Sequence, residues 1–497
     1  MQELDEIETV QLEQQAGSEP VSIDEATEKL ELEAAAPNEP ISSATISLDE
    51  VRLAALENNL ELQVDLVEPA IALQTLEEER AAFEWIVFGS ARYVRNEPNS
   101  GDASSLRLYE TGVTVPLTTG GSITAATPLS VDGVPEAAIS VTYIQSLLRG
   151  AGPYVNTYPI RLATYDKATV DALTKLTVIN ILAGADIAYW NLYLVRKELD
   201  VRREQFKLAQ DQLQHARRKV ESGSAPRIEI VRAQAGLASR LEDVINAETS
   251  VRDRQRDLKR IMNRGDMPLH SSVALIPATE PAPRGLDLDA EQLVAVAMDK
   301  RMELAHVEFS LAAADARLAL ARNALLPDLT FDYSYTVAGR AGSTGDAYDQ
   351  LFEEPLQDQT FGLAAIVPLG NRAAQARLRR ERLSRTQTEI EGLRIAQLIR
   401  QEVYDAADEL EQGWRRILAA EQGVVAAYRD YKVEQSQFQL GQRTSTDVLL
   451  AASRLADAQL RRIRAFAGYE VAQVNLARAT GTLLGRNPIP LTTTSLP

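Results

Sequence analysis

Apolar residues recur at helical spacing through most of this chain, and two of the stretches are very long. The first covers about 166–221 and the second about 372–439. At 1.5 Å per residue they predict rods of roughly 80 and 100 Å. After a short turn, each is followed by another helical pattern, at about 228–262 and 446–480. The chain is therefore predicted to form two long helical hairpins.

Each hairpin turn is marked by a glycine and an acidic residue. The second turn contains Gly441 and Asp447, and the first contains Gly223 and Glu229. Both kinds of residue recur at an offset of 218. Four further pairs share this offset: Ala233 with Ala451, Leu237 with Leu455, Ile245 with Ile463 and Leu258 with Leu476. Together with the repeated element order, these matches predict a duplicated unit.

Short alternating runs interrupt the helical pattern at 83–145 and at 328–368, and they predict β-hairpins. In the strand after Pro327, four apolar side chains share one face: Leu329, Phe331, Tyr333 and Tyr335. The alternation fits a sheet packed on helices, or a transmembrane β-barrel strand whose aromatic face meets lipid. The first block is about two dozen residues longer. We expect its extra hairpin, around 113–127, to be extracellular.

The element order predicts four segments. Residues 1–45 are acidic and poor in apolar periodicity, so we expect them to be disordered. The first structural repeat is expected at 46–286 and the second at 287–485, which leaves 486–497 as a tail. Order is expected to begin at a capping box, in which Ser47 is followed three residues later by Glu50.

Composition excludes several classes of function. The formal net charge is −19, and residues 1–40 contain 12 acidic residues against the single Lys29. Such a chain is unsuited to nucleic acid, because phosphate binding needs basic patches. The chain has no cysteine, which excludes disulfides and thiolate metal sites. No run approaches 18 apolar residues, so no transmembrane helix is predicted.

The sequence contains no catalytic constellation. The three histidines, His215, His270 and His306, are scattered, and none has a second metal ligand at a typical spacing. The nucleophile-elbow and Walker A patterns are also absent. We therefore expect no enzyme activity, no metal site and no cofactor.

The turn motifs GSAPRIE at 223–229 and GQRTSTDVL at 441–449 have three companions in the sequence. These are the opening LDE…ALENN at 48–59, VPLG at 367–370 and ATGTLL at 479–484. With these motifs in this order, the chain resembles the TolC-like outer-membrane efflux proteins over nearly its whole length, about 46–485.

That resemblance implies a mainly α fold with a transmembrane β-barrel portion, built from the duplicated helix-hairpin and β-hairpin unit. Three identical chains would form a trimeric α-barrel in the periplasm. Each chain would add four strands to a 12-stranded barrel in the outer membrane. The long rods would then serve as a conduit.

The implied function is an outer-membrane channel, the passive exit duct of a tripartite efflux or type I secretion system. Its partners would be a periplasmic membrane-fusion adaptor that opens it, an inner-membrane pump or ABC transporter, and outer-membrane lipid. The duct would extend from the outer membrane into the periplasm. The N-terminus at Met1 lacks a signal-peptide pattern. That observation and the acidic head favour the competing hypothesis, a soluble coiled-coil scaffold.

The resemblance also assigns roles to residues at the turns, which it places at the periplasmic end. Four residues match gate positions: Arg443 as the basic residue, Glu229 as its acidic partner, Phe438 as the aromatic residue and Asp447 as a pore-lining carboxylate. The second acidic position of the family falls on Leu450, so a single carboxylate ring is expected. Five residues are expected to dock the adaptor: Gly223, Ser224, Gly441, Gln442 and Thr444.

Overall fold

The computed structural model describes residues 42–96, 104–132, 134–224, 226–440 and 442–486. Most of the segment predicted to be disordered and most of the predicted tail lie outside these residues. Ser43–Ile46 forms a strand, so the disorder predicted for residues 43–45 is wrong. The strand is held by parallel pairing with Ala274–Pro277, a partner too distant in sequence for local periodicity to reveal.

The first part of the described chain contains β1 (Ser43–Ile46), α1 (Leu48–Asn58), α2 (Leu60–Asp65), α3 (Glu68–Ala81), β2 (Ile86–Asn96), β3 (Ser104–Leu117), β4 (Gly121–Ser130), β5 (Glu136–Ser146), α4 (Pro153–Asn156), α5 (Tyr158–Glu221) and α6 (Ile228–Met262). The remainder contains β6 (Ala274–Pro277), α7 (Ala290–Lys300), α8 (Met302–Asn323), β7 (Asp328–Arg340), α9 (Thr344–Glu353), β8 (Leu356–Ile366), α10 (Arg372–Gln439), α11 (Ser445–Ala479) and a 3₁₀ turn, Leu483–Arg486.

The helices begin and end close to the predicted positions. The capping box of α1 is present: Ser47 Oγ accepts from the Glu50 amide, and the Glu50 carboxylate accepts from the Ser47 amide at 2.7 Å. The helix predicted at 62–82 is instead two helices, because Pro69 starts a new one at α3. Helix α5 begins at Tyr158, earlier than predicted, since Pro159 is tolerated in a first turn.

Helix α5 is the most apolar of the long helices. An 18-residue window in it has a mean hydropathy of 1.4, which by length and composition alone is enough to cross a membrane. Within the chain, 56% of that window is buried. This is the character of a helix packed in a core, and buried residues such as Tyr189 and Leu192 fit that description.

The larger sheet is antiparallel and has six strands in the order β2-β3-β4-β5-β7-β8. Its register pairs even-numbered residues with even-numbered residues throughout, so each face keeps one parity across the sheet. The odd face is apolar and aromatic, with edge-on contact between Tyr143 and Phe331 and ring packing of Tyr333 on Phe361. The even face carries hydroxyls and charges. The predicted two-faced strand at 329–335 is thus one of six.

The extra hairpin of the first β block belongs to this sheet. Its strands, β3 and β4, lie between β2 and β5. The turn at Gly120 contacts the segment that leads into the long helix: the Gly152 amide donates to Thr119 O at 2.9 Å, and the Ser146 amide donates to Gly120 O at 3.3 Å. The hairpin turn therefore lies where the sheet joins the helices. The expectation of an extracellular position was wrong for this turn.

Helix α9 was missed by the sequence analysis, which treated its glycine-containing segment as a loop. Ser343 caps it by accepting from the Asp346 amide at 3.2 Å. Its buried Ala347 and Leu351 pack with Ala137 on the odd face of the sheet. A side chain at Gly339 would collide with Ala347 O. Glycine at that position therefore allows the helix to approach the sheet closely.

The chain divides into two compact units. Unit 1 contains the residues up to Asn59, together with Gly184–Leu286 and Leu410–Gln473. Unit 2 contains Leu60–Ala183, Asp287–Glu409 and the residues from Val474. Each unit therefore draws on both predicted repeats, and the repeat boundary at 286 stays a prediction.

Matching contacts occur in both units. In unit 1, Asn59 Nδ2 donates to Ile261 O at 3.0 Å. In unit 2, Arg301 Nη1 donates to Ala479 O, also at 3.0 Å. The acceptors are 218 residues apart and the donors 242, a difference that matches the longer first β block. Equivalent side chains thus join the same two kinds of helix end, which favours duplication.

Unit 1 contains a buried polar cluster, which we call the anchor: Arg52, Asp186, Tyr189 and Thr279. Arg52 forms two hydrogen bonds to Asp186, at 2.6 and 2.7 Å, and the Asp186 side chain is only 1% exposed. Tyr189 accepts from the Thr279 amide at 2.7 Å and donates to main-chain oxygen. The anchor ties α1 and the segment after β6 to α5.

Candidate gate and docking site at the helix turns

The first turn, between α5 and α6, ends its helix through a glycine. Gly223 has φ +71°, and its amide donates to Val220 O at 3.0 Å. The Ser224 amide donates to Lys219 O at 2.8 Å. This pair of bonds is a Schellman motif, which satisfies the last carbonyls of a helix. The predicted docking residues Gly223 and Ser224 are exposed.

The second turn, between α10 and α11, is closed by a capping box. Predicted docking residue Gly441 lies outside the described residues. Thr444 Oγ1 accepts from the Asp447 amide at 3.3 Å, and the Asp447 carboxylate accepts from the Thr444 amide at 2.9 Å and from its hydroxyl at 2.8 Å. The two residues therefore satisfy amides at the start of α11. Gln442 and Thr444 are exposed, as docking residues must be.

Asp447 is held in its ionised form. Hydrogen bonds from the Thr444 amide and then the Thr444 hydroxyl lower the pKa of the carboxyl below its ordinary value, and the charge of Arg443 acts in the same direction. The carboxylate that was predicted to line the pore is thus also a helix cap. Leu450, the position without an acidic residue, is exposed.

Arg443 contacts residues near the end of α10. Its Nε donates to Gln437 Oε1 at 3.0 Å and lies 3.3 Å from Glu434 Oε2. The Glu434 contact is an ion pair without hydrogen-bond alignment. The Arg443 side chain is 48% exposed, against 17% for Glu434. Arg443 therefore folds back on its own hairpin, and Glu434 is a partner that the sequence analysis missed.

Glu229, the predicted partner of Arg443, has a different contact within the chain. Its carboxylate accepts from Arg232 Nη1 at 2.9 Å, one helical turn further along α6. The structure of one chain thus gives Arg443 and Glu229 separate partners. Their pairing stays a prediction for contact between neighbouring chains.

Phe438 links the two hairpins of one chain. Lys219 Nζ lies 4.8 Å from the centroid of its ring, within the range of a cation–π interaction. Lys219 was also missed by the sequence analysis. A signal was available, because at the offset of 218 Lys219 falls on Gln437, the neighbour of Phe438 and the acceptor for Arg443.

Polar contacts continue between the hairpins beyond the turns. Arg240 Nη2 donates to Ser453 Oγ at 3.3 Å, and Arg464 Nε donates to Glu198 Oε1 at 2.6 Å. These contacts connect α6 and α5 to α11. Among the described residues, no group of His, Asp or Glu is placed to hold a metal ion. The arrangement at the turns is suited to a hinged contact surface.

The chain resembles known outer-membrane proteins in sequence. The outer membrane efflux protein family matches residues 293–482. Outer membrane efflux protein BepC of Brucella suis biovar 1 is 24% identical over 311 residues, which cover 61% of this chain and 64% of that protein. Pyoverdine export outer membrane protein OpmQ of Pseudomonas putida is 28% identical over 287 residues, covering 57% and 56%. The matches thus span less than two thirds of these relatives.

The fold has solved counterparts. The CmeC outer membrane channel of Campylobacter jejuni superposes with a TM-score of 0.68 at 14% identity, covering 94% of this chain and 93% of that one. At this identity the likeness concerns the fold alone. The architecture is therefore that of an outer-membrane channel subunit. The chain belongs to the outer membrane efflux protein family.

Proposed function

We propose that this chain is the outer-membrane exit duct of a tripartite efflux or type I secretion system. Three copies form a conduit whose sheet lies in the outer membrane and whose long helices extend into the periplasm. A membrane-fusion adaptor opens the conduit at the helix turns. An inner-membrane pump or ABC transporter supplies the energy.

The observation that carries this proposal is the division of the sheet into two faces. The strands are 10–14 residues long, and about 9–11 residues are needed to cross a membrane. The odd face presents Phe331, Tyr333 and Phe361, whereas the even face is polar. Leu329 and Tyr335 extend the apolar face that meets lipid. A soluble scaffold would leave this face in water.

The long hairpins support the same function. Helices α5 and α10 have 64 and 68 residues, so they extend for about 100 Å. Isolated helices of this length need a packed stripe along most of their surface. Side-by-side packing of hairpins from three chains would supply it and would leave a channel along the axis. With four strands from each chain, the sheet portion would be the 12-stranded barrel that the resemblance implies.

We place the gate at the second turn. Arg443, held by Glu434 and Gln437, and Phe438, beside Lys219, fix that end of α10. The first turn carries smaller residues at the matching positions, Val220 for Phe438 and Ala216 for Glu434. Adaptor hairpins that dock at the exposed turns would displace these contacts. Asp447 from three chains would form a ring of carboxylates that attracts cations.

Fractionation of cells that make the protein tests the proposed function. We expect the chain in the outer-membrane fraction, as trimers that resist detergent and dissociate on heating. Deletion of its gene should raise the cellular accumulation of a fluorescent efflux substrate or abolish secretion of a cognate protein. A monomer in the soluble fraction would contradict the duct and favour the scaffold.

A further inference from the structure

The two outer strands of the six-stranded sheet each have one unpaired edge. β2 pairs only with β3, and β8 pairs only with β7, among the described strands. Each outer strand has 11 residues. Long, exposed and apolar edges are sites of strand addition, and within a bilayer every backbone amide and carbonyl needs a partner.

Both outer strands are apolar on the same face. On β2, Val87 is 77% exposed and Tyr93 is 62% exposed; on β8, Phe361 is 70% exposed. All three are odd-numbered and lie on the face that carries Tyr143 and Tyr333. The apolar face therefore continues to both edges without a polar border. A surface of this kind fits a neighbouring edge with the same two faces.

The strand directions allow the two edges to meet. Because the sheet is antiparallel throughout and has an even number of strands, β2 and β8 run in opposite directions. Joining β8 of one chain to β2 of the next would continue the antiparallel alternation. Charge also matches, since β2 carries Arg92 and β8 carries Asp358 on the even face.

We propose that β8 of one chain pairs with β2 of the next, so that all six strands of each chain enter the wall. Resting on the proposed trimeric duct, this closure gives an 18-stranded barrel instead of the 12-stranded barrel that the resemblance implies. The occupant of each edge is a second copy of this chain.

The inner strands cannot take the place of β2 at this seam. A four-stranded contribution would have to end at β4, but β4 is already paired along one edge with β3 and along the other with β5. Exposing β4 would break a ladder that runs from Leu108–Ser130 to Leu117–Gly121. It would also leave the apolar faces of β2 and β3 without lipid contact.

The larger strand number has a measurable geometric consequence. With strands about 4.8 Å apart and tilted by about 40°, 18 strands give a wall about 36 Å across, and 12 strands give about 24 Å. The additional strands would widen the membrane portion alone, because the number of long helices in each chain is unchanged.

Disulfide cross-linking in intact outer membranes tests the seam. The chain has no cysteine of its own, so introduced pairs are unambiguous. Thr360→Cys on β8 is combined in turn with a cysteine at each even position of β2: Ile86, Phe88, Ser90 and Arg92. At the correct register, the two Cβ atoms come within about 4–5 Å, and oxidation should convert most chains into covalent dimers and trimers.

Matched controls combine Thr360→Cys with Thr124→Cys or Ala126→Cys on the same face of β4. These pairs should remain monomeric after oxidation and heating. Cross-links with β4 in place of β2 would overturn the 18-stranded closure while leaving the trimeric duct intact. Absence of heat-sensitive trimers, even for the wild type, would overturn the proposed function itself.

End-on electron microscopy of the wild-type protein in lipid discs provides a second reading that needs no substitution. A barrel about 36 Å across with 18 strands is expected. A wall of 12 strands would reject the closure even if the cysteine variants failed to assemble.

Discussion

The anchor of unit 1 and the second helix turn are both held by a carboxylate, but in opposite ways. In the anchor, Asp186 is almost fully buried and accepts two bonds from Arg52, which comes from a distant part of the chain. At the turn, Asp447 is partly exposed and accepts from Thr444, three residues away. The anchor therefore joins separate segments, whereas the turn is held locally and can change without disturbing the rest.

The largest effect is expected at the anchor. Asp186→Asn would leave Arg52 buried without its charge partner, and we expect the free energy of unfolding to fall by about 3–5 kcal/mol. The matched control is Asp49→Asn, since Asp49 binds the same arginine but its side chain is 88% exposed. That change should cost less than about 1 kcal/mol. Denaturant unfolding in detergent measures both; equal losses would show that the anchor is not special.

A smaller effect is expected at the cap of α11. Thr444→Ala removes the hydroxyl that accepts from the Asp447 amide, and loss of an N-cap costs about 0.5–2 kcal/mol. Because the turn is held locally, faster hydrogen exchange should be confined to the first turns of α11. Thr446→Ala, one position inside the helix, is the control. Faster exchange that spread into the anchor would refute the idea of a locally held turn.

Arg443→Ser should alter the turn with little change in stability. Its partly exposed ion pair with Glu434 contributes about 0–1 kcal/mol. Its effect on transport should be larger, since freeing the end of α10 is expected to raise single-channel conductance in planar bilayers. Arg232→Ser, which frees Glu229 at the first turn, should raise it less. Unchanged conductance in the Arg443 variant would remove that residue from the gate.

The smallest effect on stability is expected for the charge of Asp447, which is best read through cation block. Hydrogen bonds lower the pKa of its carboxyl, so the ionised form and its capping bonds are present above the ordinary pKa. Both are lost as the pH falls through the lowered folded value. Block by a multivalent cation should therefore persist at pH 5 and weaken only in stronger acid. Asp447→Asn should weaken block at every pH; undiminished block would reject the carboxylate ring.

Sequence reasoning located what depends on local periodicity. The bounds of α6, α8 and α10 follow from their apolar spacing, and the Ser47 capping box from two residues. It missed what depends on distant partners. The β1–β6 pair joins segments more than 200 residues apart, and α9 is held by packing on the sheet.

The site was predictable to a similar extent. The spacing of Thr444 and Asp447 is itself a capping signal, and both residues had been singled out for other roles. Lys219 and Glu434 were not found, because each contacts a residue that only the folded turn brings near. The placement of the β3–β4 turn failed for a related reason: strand order cannot be read from alternation alone.

One feature of the sheet bears on how cargo moves. Along a single row of the even face, five hydroxyl side chains lie side by side: Thr114, Thr124, Thr142, Ser334 and Thr360. Two pairs are in mutual hydrogen-bond contact, at 3.1 and 3.3 Å. Such a lining exchanges one weak partner for another as a molecule passes, with almost no net gain in free energy. In the proposed duct this row gives cargo little reason to dwell, and transit there is governed by diffusion instead of desorption.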